Sequence, residues 1–292
     1  MPDWQQRTLD DPTFKAAFPF EHRYVDLDGH RIHYVDEGTG PTLLLLHGNP
    51  TFSFLYRHII GGLKDRFRLV ALDYPGFGLS IARPGYDHLP ESQSRVVERF
   101  VAALGLSDLT LFVQDWGGPI GLGFAGRNPG RVSRVIVGNT WAWPVNGDFH
   151  FESFSWAMGG PIGRVLIRNF NAFVGLMIPA GTPMRPLSKE LLAVYRGVMP
   201  RERRFATSLL PRQIVQGKRF LQEVADGLGA LADKPALILW GDKDIAFRPK
   251  ERARFEGIFR NHATVILEGA GHYVQEEMPE EICARIVEWW PG

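Results

Sequence analysis

Asp115 stands in the run Val113-Gln114-Asp115-Trp116-Gly117-Gly118, between an apolar stretch over 109–113 and a segment of small residues over 117–126. The first stretch predicts a buried strand and the second a helix. Strand, sharp turn and helix with a reactive residue at the apex make a nucleophile elbow. Serine is the usual apex residue, and an aspartate there narrows the chemistry. A serine oxygen that attacked a saturated carbon would end as an ether, a dead end. A carboxylate that attacks the same carbon ends as an ester, which water cleaves at the carbonyl. Asp115 therefore points to displacement at an sp3 carbon followed by ester hydrolysis. An aspartate at a strand end more often caps the next helix, so its weight depends on what the other strand exits supply.

Two later exits supply the complement. The apolar run 236–240 leads into Gly241-Asp242-Lys243-Asp244, and 264–267 leads into Gly269-Ala270-Gly271-His272. Nucleophile, acid, histidine is the chain order of elbow enzymes. His272 would take a proton from water and direct it at the ester carbonyl, while an acid holds the imidazole tautomer. Asp244 is the first choice for that acid and Asp242 the second. The exit of the strand at 132–137 reads Gly138-Asn139-Thr140-Trp141 and offers no carboxylate. His47, also at a strand exit, reads as structural. Trp116 and Asn49 each bring a side-chain N–H without a cation, which suits a departing halide in an apolar cavity. Their backbone N–H groups would serve the second step as an oxyanion hole.

Positioning these groups requires a sheet. The segments 22–27 and 31–35 alternate around Asp28-Gly29 and predict a β-hairpin. Strands at 42–46, 68–72, 109–113, 132–137, 236–240 and 264–267 alternate with helices at 54–63, 92–104, 117–126, 250–258 and 279–289. That order predicts an α/β fold, a mostly parallel sheet with helices on both faces. The alternation breaks at 141–211, where helical patches at 154–156, 164–178 and 189–199 lie between proline- and glycine-rich turns. An insert of this length is too long for a plain connection and predicts a helical cap over the C-terminal edge of the sheet, where such folds place reactive groups. The expected division is a core of 1–140 and 212–292 and a cap of 141–211.

The composition fits that architecture. The chain has 292 residues, 45% of them hydrophobic and 22% charged, enough for a sizeable core. A net charge of +1 gives no reason to expect nucleic acid or an anionic membrane as partner, and the run Arg201-Glu202-Arg203-Arg204 reads as a solvated face. A single cysteine, Cys283, excludes an intramolecular disulfide. With no signal-like N-terminus, it gives a cytoplasmic expectation.

His47-Gly48-Asn49-Pro50, Asp73-Tyr74-Pro75-Gly76-Phe77-Gly78-Leu79-Ser80, Gln114-Asp115-Trp116-Gly117-Gly118, Gly241-Asp242-Lys243-Asp244 and Gly271-His272-Tyr273-Val274-Gln275-Glu276-Glu277 span nearly the whole chain. Through these motifs the sequence resembles the haloalkane dehalogenases of the α/β-hydrolase superfamily. The resemblance implies an α/β-hydrolase fold and hydrolytic displacement of halide from a small halogenated aliphatic substrate. Alcohol, halide and a proton are the products, with no cofactor and no metal. It implies Asn49 and Trp116 as the halide-binding pair. It also favours Asp244, because branches of the family place the acid after the seventh strand, and Thr140 stands where another branch has a glutamate. By analogy with the family, Phe173, Phe205, Pro211, Ile245 and Tyr273 line the substrate pocket. Val113 is bulkier than the usual residue at the first elbow position.

The nearest rival is an epoxide hydrolase with the same nucleophile, which needs two cap tyrosines as acids. Between 141 and 231 the chain has one, Tyr195, and Asn49 stands where those enzymes carry an aromatic. A fluoroacetate-type enzyme would want an arginine where Trp116 stands. A binding protein on the same fold has no need to keep nucleophile, acid and base together.

Overall fold

The computed structural model describes residues 1–290. Eight strands form one sheet: β1 (Arg23–Leu27), β2 (His30–Glu37), β3 (Thr42–Leu46), β4 (Arg68–Leu72), β5 (Leu109–Asp115), β6 (Val132–Thr140), β7 (Ala236–Gly241) and β8 (His262–Leu267), in spatial order β1-β2-β4-β3-β5-β6-β7-β8. β2 pairs antiparallel with both neighbours, and every other pairing is parallel. The β1–β2 hairpin turns through Asp28 and Gly29, both with positive φ, the backbone that a two-residue turn between twisted strands requires. The leucines of β3 and the interior of β5, β6 and β7 are fully buried, so these strands read as continuous apolar runs because both faces are covered.

Helices Pro90–Ala103, Gly117–Arg127 and Lys218–Gly227 pack together on one side, and Arg57–Leu63 packs with Pro279–Trp289 on the other. The direction of winding changes between β3 and β5. The crevice above their C-terminal ends is where open α/β sheets bind ligands, and it holds both Asn49 and Asp115.

The insert between β6 and β7 is helical, with helices Phe149–Gly159, Pro161–Phe170, Ala172–Ala180, Lys189–Gly197 and Phe205–Gln216. Two expectations differ in detail. The patch 164–178 is not one helix: Asn171 adopts a left-handed conformation, φ +54°, and ends Pro161–Phe170 before the next helix begins. Asparagine tolerates that region better than other non-glycine residues. The expected boundary at 211/212 falls inside Phe205–Gln216, which packs along Phe149–Gly159. Alternation and proline content do not locate it, because Pro211 lies within the helix.

Arg203 also departs from the solvated run expected at 201–204. Its guanidinium donates to the carbonyls of Gly78, Val198 and Ser80, each at 2.6 Å, and lies 3.7 Å from the centre of the Trp4 ring. Burial lowers its pKa to about 9. The helices Asp3–Asp10 and Pro12–Ala17, which alternation did not predict, pack against the cap helix Lys189–Gly197. Among the described residues no helix is long and apolar enough to cross a membrane.

Candidate active site

Asp115 is the last residue of β5 and has φ +49°. Holding a non-glycine residue there costs on the order of 1–3 kcal/mol and persists only where the surroundings over-determine it. The β5–β6 ladder supplies that constraint. Its register slips between Gln114 and Asp115, so that Gln114 opposes Gly138 and Asp115 opposes Thr140. Thr140 Oγ1 then donates to the Asp115 carbonyl at 2.5 Å. A Cβ on Gly48 would lie 2.2 Å from Asp115 Oδ1, so only glycine lets the β3 exit loop close over the carboxylate. The bulk of Val113 is taken up across the elbow by Gly121, where a Cβ would stand 2.9 Å from Val113 Cγ1.

The Asn49 backbone N–H donates to Asp115 Oδ1 at 2.7 Å, and the backbone N–H of the adjacent Trp116 also favours the charged carboxylate. Burial raises the Asp115 pKa above the ordinary aspartate value. His272 and these two N–H groups offset it only in part. A carboxylate stripped of most of its water but still held by a backbone N–H is a more reactive nucleophile than a solvated one.

His272 stands in the loop after β8. Its Nε2 lies 3.6 Å from Asp115 Oδ2, and its Nδ1 lies 3.0 Å from Asp244 Oδ2. The Asp244 carboxylate is fully buried and also accepts the Ala246 N–H at 2.6 Å and Asn139 Nδ2 at 2.8 Å. Burial works against the charged imidazole, but Asp244 first, then Asp115 and Glu277, outweigh it and raise the His272 pKa. Asp242 is not at the site. Its carboxylate accepts the Gly269 N–H at 2.6 Å and the Lys243 ammonium at 2.9 Å, and it ties the two loops together at the surface.

Asn139 is a supporting residue that sequence reasoning missed. Its amide also bonds both backbone groups of Gly241, at 2.8 and 3.2 Å, so it pins the loop that carries Asp244. A search for charge passes over a neutral amide at a strand exit. His47 is structural as expected. Burial lowers its pKa to about 4, its Nδ1 donates to the Gly48 carbonyl at 2.9 Å, and its Nε2 accepts the Tyr74 N–H at 3.2 Å.

Asp115 and His272 face a cavity of about 100 Å³ roofed by the cap. Asn49, Trp116, Phe173, Pro211, Ile245 and Tyr273 line it, and sequence reasoning missed Trp141, Phe151, Phe154, Met177, Ile214 and Phe247. Phe205 does not line it. That ring is partly exposed and packs on His88 at 5.6 Å between centres. It precedes Pro211 by six positions on one helix, which sets the two side chains about 120° apart, so both cannot face the cavity.

Pro211 has a second effect. A proline lacks the N–H that would bond the carbonyl four residues back, which here is that of Thr207. The freed carbonyl accepts Asn49 Nδ2 at 3.3 Å, so the cap helix orients the Asn49 amide and leaves its second N–H for the cavity. Among the described residues no cluster of side chains has the make-up of a metal site.

The family model described as the alpha/beta hydrolase fold matches residues 41–279. Haloalkane dehalogenase 2 of Mycobacterium tuberculosis is 45% identical over 274 residues, covering 93% of this chain and 95% of that protein. A protein of Xanthomonas campestris pv. campestris named cis-3-alkyl-4-alkyloxetan-2-one decarboxylase is 32% identical over 295 residues, covering 92% and 96%. Among solved structures, a mutant haloalkane dehalogenase from Agrobacterium tumefaciens C58 superposes with a TM-score of 0.83 at 30% identity, covering 94% of this chain and 98% of that one. Likeness of this extent along nearly the whole of both chains shows that the protein belongs to the haloalkane dehalogenase family, within the α/β-hydrolase fold.

Proposed function

We propose that the protein hydrolyses small haloalkanes through an ester on Asp115. The carboxylate attacks the halogen-bearing carbon from the side opposite the halogen. The carbon–halogen pair of electrons leaves with the halide, which meets the free N–H of the Asn49 amide and the indole N–H of Trp116. His272 Nε2 then takes a proton from a water that attacks Cγ of the ester, and Asp244 stabilises the imidazolium. The backbone N–H of Asn49, bonded to the carboxylate in the resting site, and that of Trp116 beside it hold the oxyanion as it forms. Collapse returns Asp115, an alcohol and a proton. The observation that carries this function is a carboxylate at the elbow, within 3.6 Å of an imidazole, in a cavity lined almost wholly by apolar side chains. A cavity of about 100 Å³ favours short substrates, since about 150 Å³ accepts a benzene ring.

A second displacement is open to the same carboxylate. The 32% identity to an oxetan-2-one decarboxylase favours testing ring opening at the sp3 carbon of a β-lactone, with a carboxylate rather than a halide as leaving group; cleavage of the bond to that carboxylate would then release carbon dioxide, its electron pair forming an alkene as the Asp115 carboxylate departs. The epoxide reading has less support. Tyr195 OH donates to Glu276 at 2.6 Å, away from the cavity, and Tyr273 is the sole tyrosine lining it among the described residues.

The test is a panel of short bromoalkanes, epoxides and cis-dialkyl oxetan-2-ones, with bromide, diol and carbon dioxide followed together. Bromide release that Asp115→Ala abolishes is the expected result. Carbon dioxide or diol without bromide would replace the function proposed. The acid is tested separately. Asp244→Asn should slow ester hydrolysis about 10⁴-fold, the loss seen when a triad aspartate becomes an amide, whereas Asp242→Asn should stay within about twofold of wild type. Single-turnover alcohol release reads both, and the reverse order would make Asp242 the acid.

A further inference from the structure

We propose that Gln114 is a positioning residue that keeps His272 in its neutral form with the proton on Nδ1, so that Nε2 is ready to receive the proton of water. This deepens the hydrolysis proposed above and rests on it for the water step. Gln114 immediately precedes the nucleophile and is fully buried. Its Nε2 lies 3.1 Å from the carbonyl oxygen of His272 and 3.1 Å from Nε2 of the same residue. A carbonyl only accepts, so the end of the amide that faces it is the NH₂ group. The same nitrogen, with its second hydrogen, can then only donate to the ring. Ring Nε2 must present a lone pair there, which leaves the ring proton on Nδ1, facing Asp244 Oδ2 at 3.0 Å. The amide oxygen of Gln114 is buried without a partner. A native structure seldom tolerates such an orphan without a reason, and the reason here is that the NH₂ end is committed to His272.

The carboxylates around the ring give this contact its use. Asp244 faces His272 from the loop after β7, Asp115 from the end of β5, and Glu277 from the helix Val274–Glu277. All three favour the imidazolium, which cannot take a proton from water. Gln114 opposes them, because its bond to Nε2 exists only while that nitrogen is unprotonated. Once the ring has taken the water's proton, two N–H groups face one another and the proton is readily given up again.

The sign of the test follows. Without the donor the His272 pKa rises, and ester hydrolysis, which needs the neutral ring, begins at a higher pH. Gln114→Met keeps the length and should move the acid limb of hydrolysis up by about one pH unit. Gln114→Glu, which offers an acceptor to the Nε2 proton, should move it further. Both variants should still release a burst of bromide from a bromoalkane, accumulate the alkyl ester near neutral pH, and regain turnover as the pH is raised. A packing defect would lower the rate at every pH alike. Nitrogen-15 NMR of the His272 ring in the resting wild type should show Nδ1 protonated and Nε2 bare. A proton on Nε2, or a Gln114→Met variant with an unchanged acid limb and an unchanged His272 titration, overturns the proposal. The NMR needs no substrate. A protein that released no bromide would therefore sink the dehalogenase function, while the His272 titration of Gln114→Met against wild type, followed by the same NMR, still decided the role of Gln114. If Gln114→Met fails to fold, the His272 titration of Gln114→Glu is read in its place, and a proton on Nε2 of the wild type overturns the proposal by itself.

Discussion

A His272→Phe variant should release about one equivalent of halide per chain and then stop. The displacement needs a carboxylate, a halide site and an aligned carbon, none of which His272 supplies. The hydrolysis needs a base for the water, and a positioned general base is worth about 10²–10⁴-fold. Phenylalanine preserves the packing of the ring between Phe247 and Tyr273, whose centres lie 5.6 and 4.6 Å away. Asp244 keeps its bonds from Asn139 and Ala246, so the site should remain assembled. The intact mass should rise by one alkyl group in place of hydrogen, and peptide mapping should locate it on Asp115. Repeated turnover by this variant would remove His272 from the base role.

Glu276→Ala should cost about 3–5 kcal/mol of stability, the usual loss when one partner of a buried ion pair is removed. Against the 5–15 kcal/mol of a typical domain, that is a large share. Arg57 bonds both oxygens of Glu276, at 2.6 Å each, both side chains are almost fully buried, and Tyr195 OH adds a third bond at 2.6 Å. The alanine would strand a guanidinium in the interior beside the Phe54 ring. It would also release three parts of the chain from one another: the start of the helix Arg57–Leu63, the cap helix Lys189–Gly197 and the loop of His272. Urea unfolding reads the loss. The double variant Arg57→Met, Glu276→Met should lose much less than the two single changes summed, because no charge is then left unpaired. A Glu276→Ala midpoint within about 1 kcal/mol of wild type would mean that water reaches Arg57.

Much of the candidate site was legible in order along the chain. Asp115, Asp244 and His272 follow apolar strands, and a parallel sheet carries all such exits to one edge whatever the sequence between them. The choice of Asp244 over Asp242 was not legible from spacing alone, since the two stand two positions apart on one loop. It depends on which carboxylate the loop turns inward, and Asn139 on a neighbouring strand decides that. The lining residues were legible only in part. Phe205 and Pro211 looked equivalent as apolar cap positions, and the phase of their shared helix separated them.

The sequence by itself determined the strand-and-helix alternation, the insert after β6, the elbow with its carboxylate and the order in which Asp115, Asp244 and His272 follow their strands. Those follow from local composition and from spacing between neighbours in the chain. Only the tertiary structure decided which groups touch. It brought the Thr207 carbonyl, freed by Pro211, to the Asn49 amide, and the NH₂ of Gln114 to both the ring and the carbonyl of His272. Each of these contacts joins residues 158 positions apart. The direction of a hydrogen bond is set by which atoms burial leaves facing each other, and a linear reading carries no record of that.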